Sequence, residues 1–113
     1  RDFIHAKDVA LGMMHAVKNK ITEPINLGSG EGIAIKTIVE EVSSFVNGYL
    51  KKSLEISWDT SKPKGDKIRI LDMTRANNYG FTTSVSLSEG IGDTVQWFLQ
   101  NKDIIDKRYN SFK

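Results

Sequence analysis

The sequence predicts an α/β fold in which short strands alternate with helices, and three observations predict it. Long stretches carry apolar residues at the helical spacing of i, i+3 and i+4. Between them lie short β-branched or alternating runs of strand character. Gly- and Pro-containing turns punctuate the joins. Strands that alternate with helices argue for a sheet with crossover connections. At 113 residues the chain is expected to be a single segment, 1–113.

The elements follow in order. "DFIH" (2–5) is short and partly β-branched or aromatic, and reads as a strand. It leads into "AKDVALGMMHAVKNK", where Val9, Met13, Ala16 and Val17 recur at helical spacing. Asp8 near the start and Lys18 and Lys20 near the end suit the helix dipole. "PINLGSGEG" reads as a short buried strand (Ile25, Leu27) and a Gly-rich turn. In "IAIKTIVEEVSSFVNG" the residues Ile35, Ile38, Val39, Val42, Phe45 and Val46 form one stripe, with Gly48 as a stop signal. Ala34 falls at the N-cap, where it has no side-chain acceptor. "LEISWD" alternates Leu54, Ile56 and Trp58 inward against Glu55, Ser57 and Asp59 outward. "KIRILD" alternates again after a charged loop, and "MTRANNYGF" reads as a short helix or turn. "SLSE" is a capping box from Ser86 to Glu89, opening a last helix faced by Leu87, Ile91, Thr94, Val95 and Phe98.

Composition narrows the function. Sixteen Lys and Arg stand against 14 Asp and Glu, net +2, with the signs alternating along the chain. A nucleic-acid binder would gather its cations on one face, so no nucleic-acid partner is expected. The absence of Cys excludes disulfides, thiolate catalysis and Cys-based metal sites. His5 and His15 have no metal-ligand spacing, so no metal is expected. No apolar run approaches the ~20 residues of a membrane span. The chain opens at Arg1 directly on a strand-like segment and is expected to be part of something longer.

Several patterns could carry chemistry. "NLGSGEG" has G-x-G-x-G spacing rather than G-x-G-x-x-G, and Glu31 within it would repel a phosphate, so a tight turn is the preferred reading. Tyr109 to Lys113 matches Tyr-x-x-x-Lys, a pair that can lower a phenol pKa for proton transfer, but at the end of the chain it reads as coincidence. His5 at a strand–helix junction reads as a cap or packing residue. Trp58 and Trp97 occupy apolar positions and read as packing. The loop "DTSKPKGDKIR" gathers Lys62, Lys64, Lys67 and Arg69 around Pro63, Gly65 and Asp66. Cations beside a carboxylate suit a nucleotide diphosphate, which offers anionic oxygens next to a ribose diol. On spacing alone, a solvated charged loop is the preferred reading.

Taken together, these stretches carry a family resemblance. "RDFIHAKDVALGM" resembles the R-D/E-[FY]-[IL]-H-V-x-D-[LMV]-A segment of extended short-chain dehydrogenase/reductases, the NAD-dependent epimerase/dehydratase family, acting on nucleotide sugars. "INLGSGEGIAIKTIVEEV" is similar to the segment that follows it. "WDTSKPKGDKIRILDMTRANNYGF" with "SLSEGIGDTVQWFLQN" is most similar to the GDP-L-fucose synthases of that family. The resemblance covers nearly all of the chain in the family's order. It implies the C-terminal substrate-binding portion of an extended Rossmann-fold enzyme, cytoplasmic and homodimeric. Upstream it implies a Gly-rich loop binding NADP or NAD, a catalytic Ser/Thr and a Tyr-x-x-x-Lys, so no catalytic residue falls in this segment. By similarity Arg1 and Arg69 match positions assigned to the substrate diphosphate, and Asp66 an acidic residue that binds ribose hydroxyls. Lys62 and Lys64, which on the loop's own charges could meet phosphates, complete the expected substrate-binding set. Fucose synthases read "KPDGTPRK" where this chain has "KPKGDKIR", so the loop is a hybrid that leaves open guanine and uracil. UDP-sugar 4-epimerases or dehydratases of the family, and a non-catalytic nucleotide-binding module, are the alternatives.

Overall fold

A computed structural model describes residues 1–51, 53–63 and 65–105, and the side chains up to residue 103. Among these residues there are four helices: α1 (Ala6–Lys18), α2 (Ile35–Leu50), α3 (Thr74–Asn78) and α4 (Leu87–Ile105). No strand forms among them, so the expected α/β architecture is overturned. The predicted strands are extended chain without a ladder. A strand is stable only when its backbone groups pair repeatedly with a neighbour, and here the extended segments meet through single contacts. Arg1 and Ile33 exchange backbone hydrogen bonds of 2.7 and 2.8 Å. Asp2 N–H donates to the Arg69 carbonyl at 3.1 Å. There the pairing stops, because the Asp2 carboxylate accepts the next available N–H, that of Leu71. The alternation in "LEISWD" finds no partner either: Leu54, Ile56 and Trp58, expected inward, are exposed.

The helices form where local signals are strong. His5 is the N-cap of α1, its Nδ1 accepting from Lys7 N–H at 3.4 Å and its carbonyl from Asp8 and Val9. In α2 the N-cap is Ala34, with no side-chain bond. Gly48 does not stop α2. The helix runs to Leu50 and ends on Lys51 in the left-handed region, at φ 51°. Asn47 turns its Oδ1 to Leu54 N–H at 2.8 Å, tying down the departing chain. At α4 the Ser86 hydroxyl accepts from Glu89 N–H, the capping contact expected from "SLSE".

Packing is uneven. Met73, Ala76 and Phe81 form the buried core, with Ile4, Ile25 and Leu27 packed partly against it. α1 joins that core through Gly12, where an added Cβ would lie 2.6 Å from Leu27 Cδ2 and 2.9 Å from Phe81 Cε2. Thus the residues α1 buries are Asp8 and Gly12, while the apolar stripe read from its periodicity is only half-buried at Val9 and Ala16 and exposed at Met13 and Val17, the last at 80%. Between helices, α2 packs on α4, and Gly92 lets the Phe45 ring approach to 3.0 Å from where a Cβ would stand. The chain exposes 9301 Å². A folded monomer of 12.7 kDa would expose about 6,200 Å². Large apolar side chains stand among the exposed residues, including Met13, Met14, Ile68 and Trp97.

Candidate functional site

The charged loop is not isolated from the rest of the chain. Arg1, half-buried at the start of the described residues, sends Nη1 to the Asp66 carbonyl at 2.7 Å across 65 residues of sequence. Gly65 makes room: a Cβ there would stand 3.0 Å from Arg1 Nη2. From the other side, Arg69 Nε lies 3.7 Å from Asp66 Oδ2. Two guanidinium groups therefore meet at one residue. The Arg69–Asp66 pair is 76% and 63% exposed, so water screens it and it holds the loop by less than about 1 kcal/mol.

The backbone beneath this cluster is fixed more firmly. Asp2 Oδ1 accepts from Ser29 N–H at 2.8 Å and from the Ser29 hydroxyl at 2.7 Å. Its Oδ2 accepts from Gly30 N–H at 3.0 Å and Leu71 N–H at 3.2 Å. Gly30 has φ +74°, which turns successive N–H groups to the same side. The "NLGSGEG" turn is thus an anion nest, and the anion it holds is the chain's own Asp2. Burial alone would raise the Asp2 pKa, but the hydrogen bonds from Ser29, Leu71 and Gly30 outweigh it and the net direction is down.

A second carboxylate behaves alike. Asp8, 1% exposed in the first turn of α1, accepts from the Ser84 hydroxyl at 2.7 Å, from Ser84 N–H at 3.1 Å and from Val85 N–H at 3.0 Å. Burial raises its pKa, and the bonds from Ser84 and Val85, with the nearby His5, lower it further than burial lifts it. Nothing in the sequence marks either aspartate, since one sits in a strand-like run and the other looks like an ordinary first-turn acid. The one available signal was the resemblance's own pattern, which carries an acidic residue at both places.

The remaining expected residues separate. Lys62 is exposed on the loop, and Lys67 and Arg69 are exposed beside it. Lys64 and the Tyr109–Lys113 match lie outside the described residues. Asp59 is engaged by its own turn, accepting from Ser61 N–H and the Ser61 hydroxyl. Trp58 and Trp97 are more than half exposed, so the expected packing is not provided by this chain. A cavity of about 660 Å³ opens between α2, α4 and residues 3–8, walled mainly by Ile4, Ile33, Val42, Ile91 and Val95. Arg1, Asp66 and Arg69 do not line it, though Ile33 links the two regions through its backbone pair with Arg1. Among the described residues no group of His, Asp or Glu is arranged to hold a metal ion, and no helix is long and apolar enough to cross a membrane.

No protein-family model matches the chain. Individual proteins do. It is 32% identical over 113 residues to GDP-L-fucose synthase of Escherichia coli (strain K12), covering 91% of this chain and 34% of that protein. It is 31% identical to GDP-L-fucose synthase 1 of Arabidopsis thaliana, covering 89% of this chain and 30% of that protein. It is 30% identical to GDP-L-colitose synthase of Yersinia pseudotuberculosis, covering 91% and 33% respectively. Over nine-tenths of its length the chain is therefore a homologue of GDP-L-fucose and GDP-L-colitose synthases, and it spans about a third of the length of those proteins.

Proposed function

We propose that this chain is the C-terminal, nucleotide-sugar-binding part of an NAD(P)-dependent nucleotide-sugar epimerase/reductase of the GDP-L-fucose synthase type. The observation that carries the reading is the meeting of Arg1 and Arg69 at Asp66. Like charges gathered from distant parts of a chain favour an anion between them, and two planar guanidinium forks suit the oxygens of a diphosphate. In this reading the nucleotide's diphosphate takes both arginines, Lys62 adds long-range attraction, and the Asp66 carboxylate, released from Arg69, accepts from the ribose hydroxyls. Binding energy gathered here, away from the reacting sugar carbons, orients the sugar for chemistry elsewhere.

A nicotinamide cofactor, NADP or NAD, would supply the hydride in the whole enzyme. The residues of this chain do not fit its phosphates at the Gly-rich turn, because Asp2 already takes the turn's N–H groups. In this reading the cofactor site and the proton-transfer Tyr and Lys lie in the rest of the protein.

The test is calorimetric titration of GDP into the full-length protein and its Arg1→Ala and Arg69→Ala variants. Each loses a charge-assisted bond worth about 1.5–3 kcal/mol, so affinity falls by roughly ten- to a hundred-fold. Unchanged affinity in both variants would reject the reading.

A further inference from the structure

We propose that Asp2 is the positioning residue of the anion-binding pair: its carboxylate ties the 29–30 turn and the 69–71 segment to the start of the chain, and so sets the separation of the Arg1 and Arg69 guanidinium groups. The inference rests on the nucleotide reading given above. It follows from asking what holds the two arginines at their spacing. Their shared contact with Asp66 is too exposed to do so. Arg69 instead belongs to a segment that Asp2 grips from both ends, by its own N–H to the Arg69 carbonyl and by its Oδ2 from Leu71 N–H. Arg1 is Asp2's chain neighbour and is itself paired with Ile33. One carboxylate thus sits where the segments of Arg1 and Arg69 meet the 29–30 turn.

The geometry also explains why the residue is a carboxylate. Each oxygen accepts from two directions, Oδ1 from the Ser29 N–H and hydroxyl and Oδ2 from Gly30 and Leu71. Asparagine would put an NH₂ group against N–H donors on one side and lose that half of the network. Gly28 is required beside it, since a Cβ there would stand 2.8 Å from Asp2 Oδ2.

The test is a set of GDP titrations on the full-length protein carrying Asp2→Asn, Arg69→Ala and both together, with Arg1→Ala and Asp8→Asn beside them. Asp2→Asn should weaken GDP about tenfold, and in its background Arg69→Ala should cost less than about threefold more. Asp8→Asn disrupts a comparable carboxylate network away from the arginines, so it should lower the melting temperature and leave GDP affinity within about twofold. Ser29→Ala keeps the carboxylate and removes one donor, and should weaken GDP about threefold, which serves if Asp2→Asn does not fold. Wild-type GDP affinity in Asp2→Asn or Ser29→Ala, or full multiplication of the Asp2 and Arg69 effects, overturns the assignment. If Arg1→Ala and Arg69→Ala leave GDP binding intact, the nucleotide reading itself has failed, and the role given to Asp2 falls with it.

Discussion

Asp8 accepts a 2.7 Å hydrogen bond from the Ser84 hydroxyl, 76 residues away in the chain. With Ser84 N–H and Val85 N–H on the same carboxylate, this pins the loop that leads into α4 against the first turn of α1. Replacing Asp8 by Ala would leave those donors buried without an acceptor. The expected loss is about 3 kcal/mol, while Ser84→Ala, which removes one donor, should lose about 1 kcal/mol. Urea unfolding of both variants checks the ratio.

Acid should act through the same two carboxylates. The Asp2 and Asp8 pKa values both lie below the ordinary 3.8 in the folded state. A depressed folded pKa contributes stability that is fully present above the unfolded value and is lost as pH falls through the folded one. Melting temperature should therefore hold steady from pH 7 to about 5, then fall at lower pH, and the fall should be shallower in Asp8→Asn. A decline of the wild type between pH 7 and 5 that the variant lacks would contradict the assignment.

Two glycines in helices should respond in opposite ways. Gly12→Ala drives a methyl into Leu27 and Phe81, at 2.6 and 2.9 Å, and should destabilise by about 1–3 kcal/mol despite alanine's better helix propensity. Gly48 in α2 has nothing within 4 Å of an added Cβ, so Gly48→Ala should stabilise by about 0.5–1 kcal/mol. Thermal melts of the pair separate packing from propensity.

What the sequence made legible was local. The Ser86 cap and the helical course of α2 depend on residues a few positions apart. The strands were misread because "LEISWD" and "KIRILD" show only which residues would share a face, and a strand exists only where another segment pairs with it. The α1 stripe was misread for a related reason. Periodicity locates an apolar face but not whether this chain covers it, and the face it buries centres on Gly12 and Asp8. Asp66 and Arg69 stood out in the charge pattern of their loop, but Arg1 was named through resemblance alone, because its contact with Asp66 spans 65 residues of sequence. Asp2 and Asp8 carried no pattern of their own.

The uncovered apolar surface has its own consequence. With Met13, Met14 and Val17 all more than half exposed on α1, the 113-residue chain on its own should self-associate. Sedimentation velocity should show species heavier than 12.7 kDa, and Met14→Lys with Val17→Lys should shift them toward monomer. A wild-type chain that remains monomeric at high concentration would show that the face needs no cover.

The central claim is that Arg1 and Arg69 read a diphosphate, and a phosphate series tests it most directly. Guanosine, GMP and GDP are titrated into the full-length protein and into the Arg1→Ala/Arg69→Ala double variant at fixed salt. The account predicts that wild-type affinity rises at each added phosphate, by roughly tenfold from GMP to GDP, and that the double variant binds all three alike. A double variant that keeps the full preference for GDP would place the diphosphate site elsewhere and contradict the account.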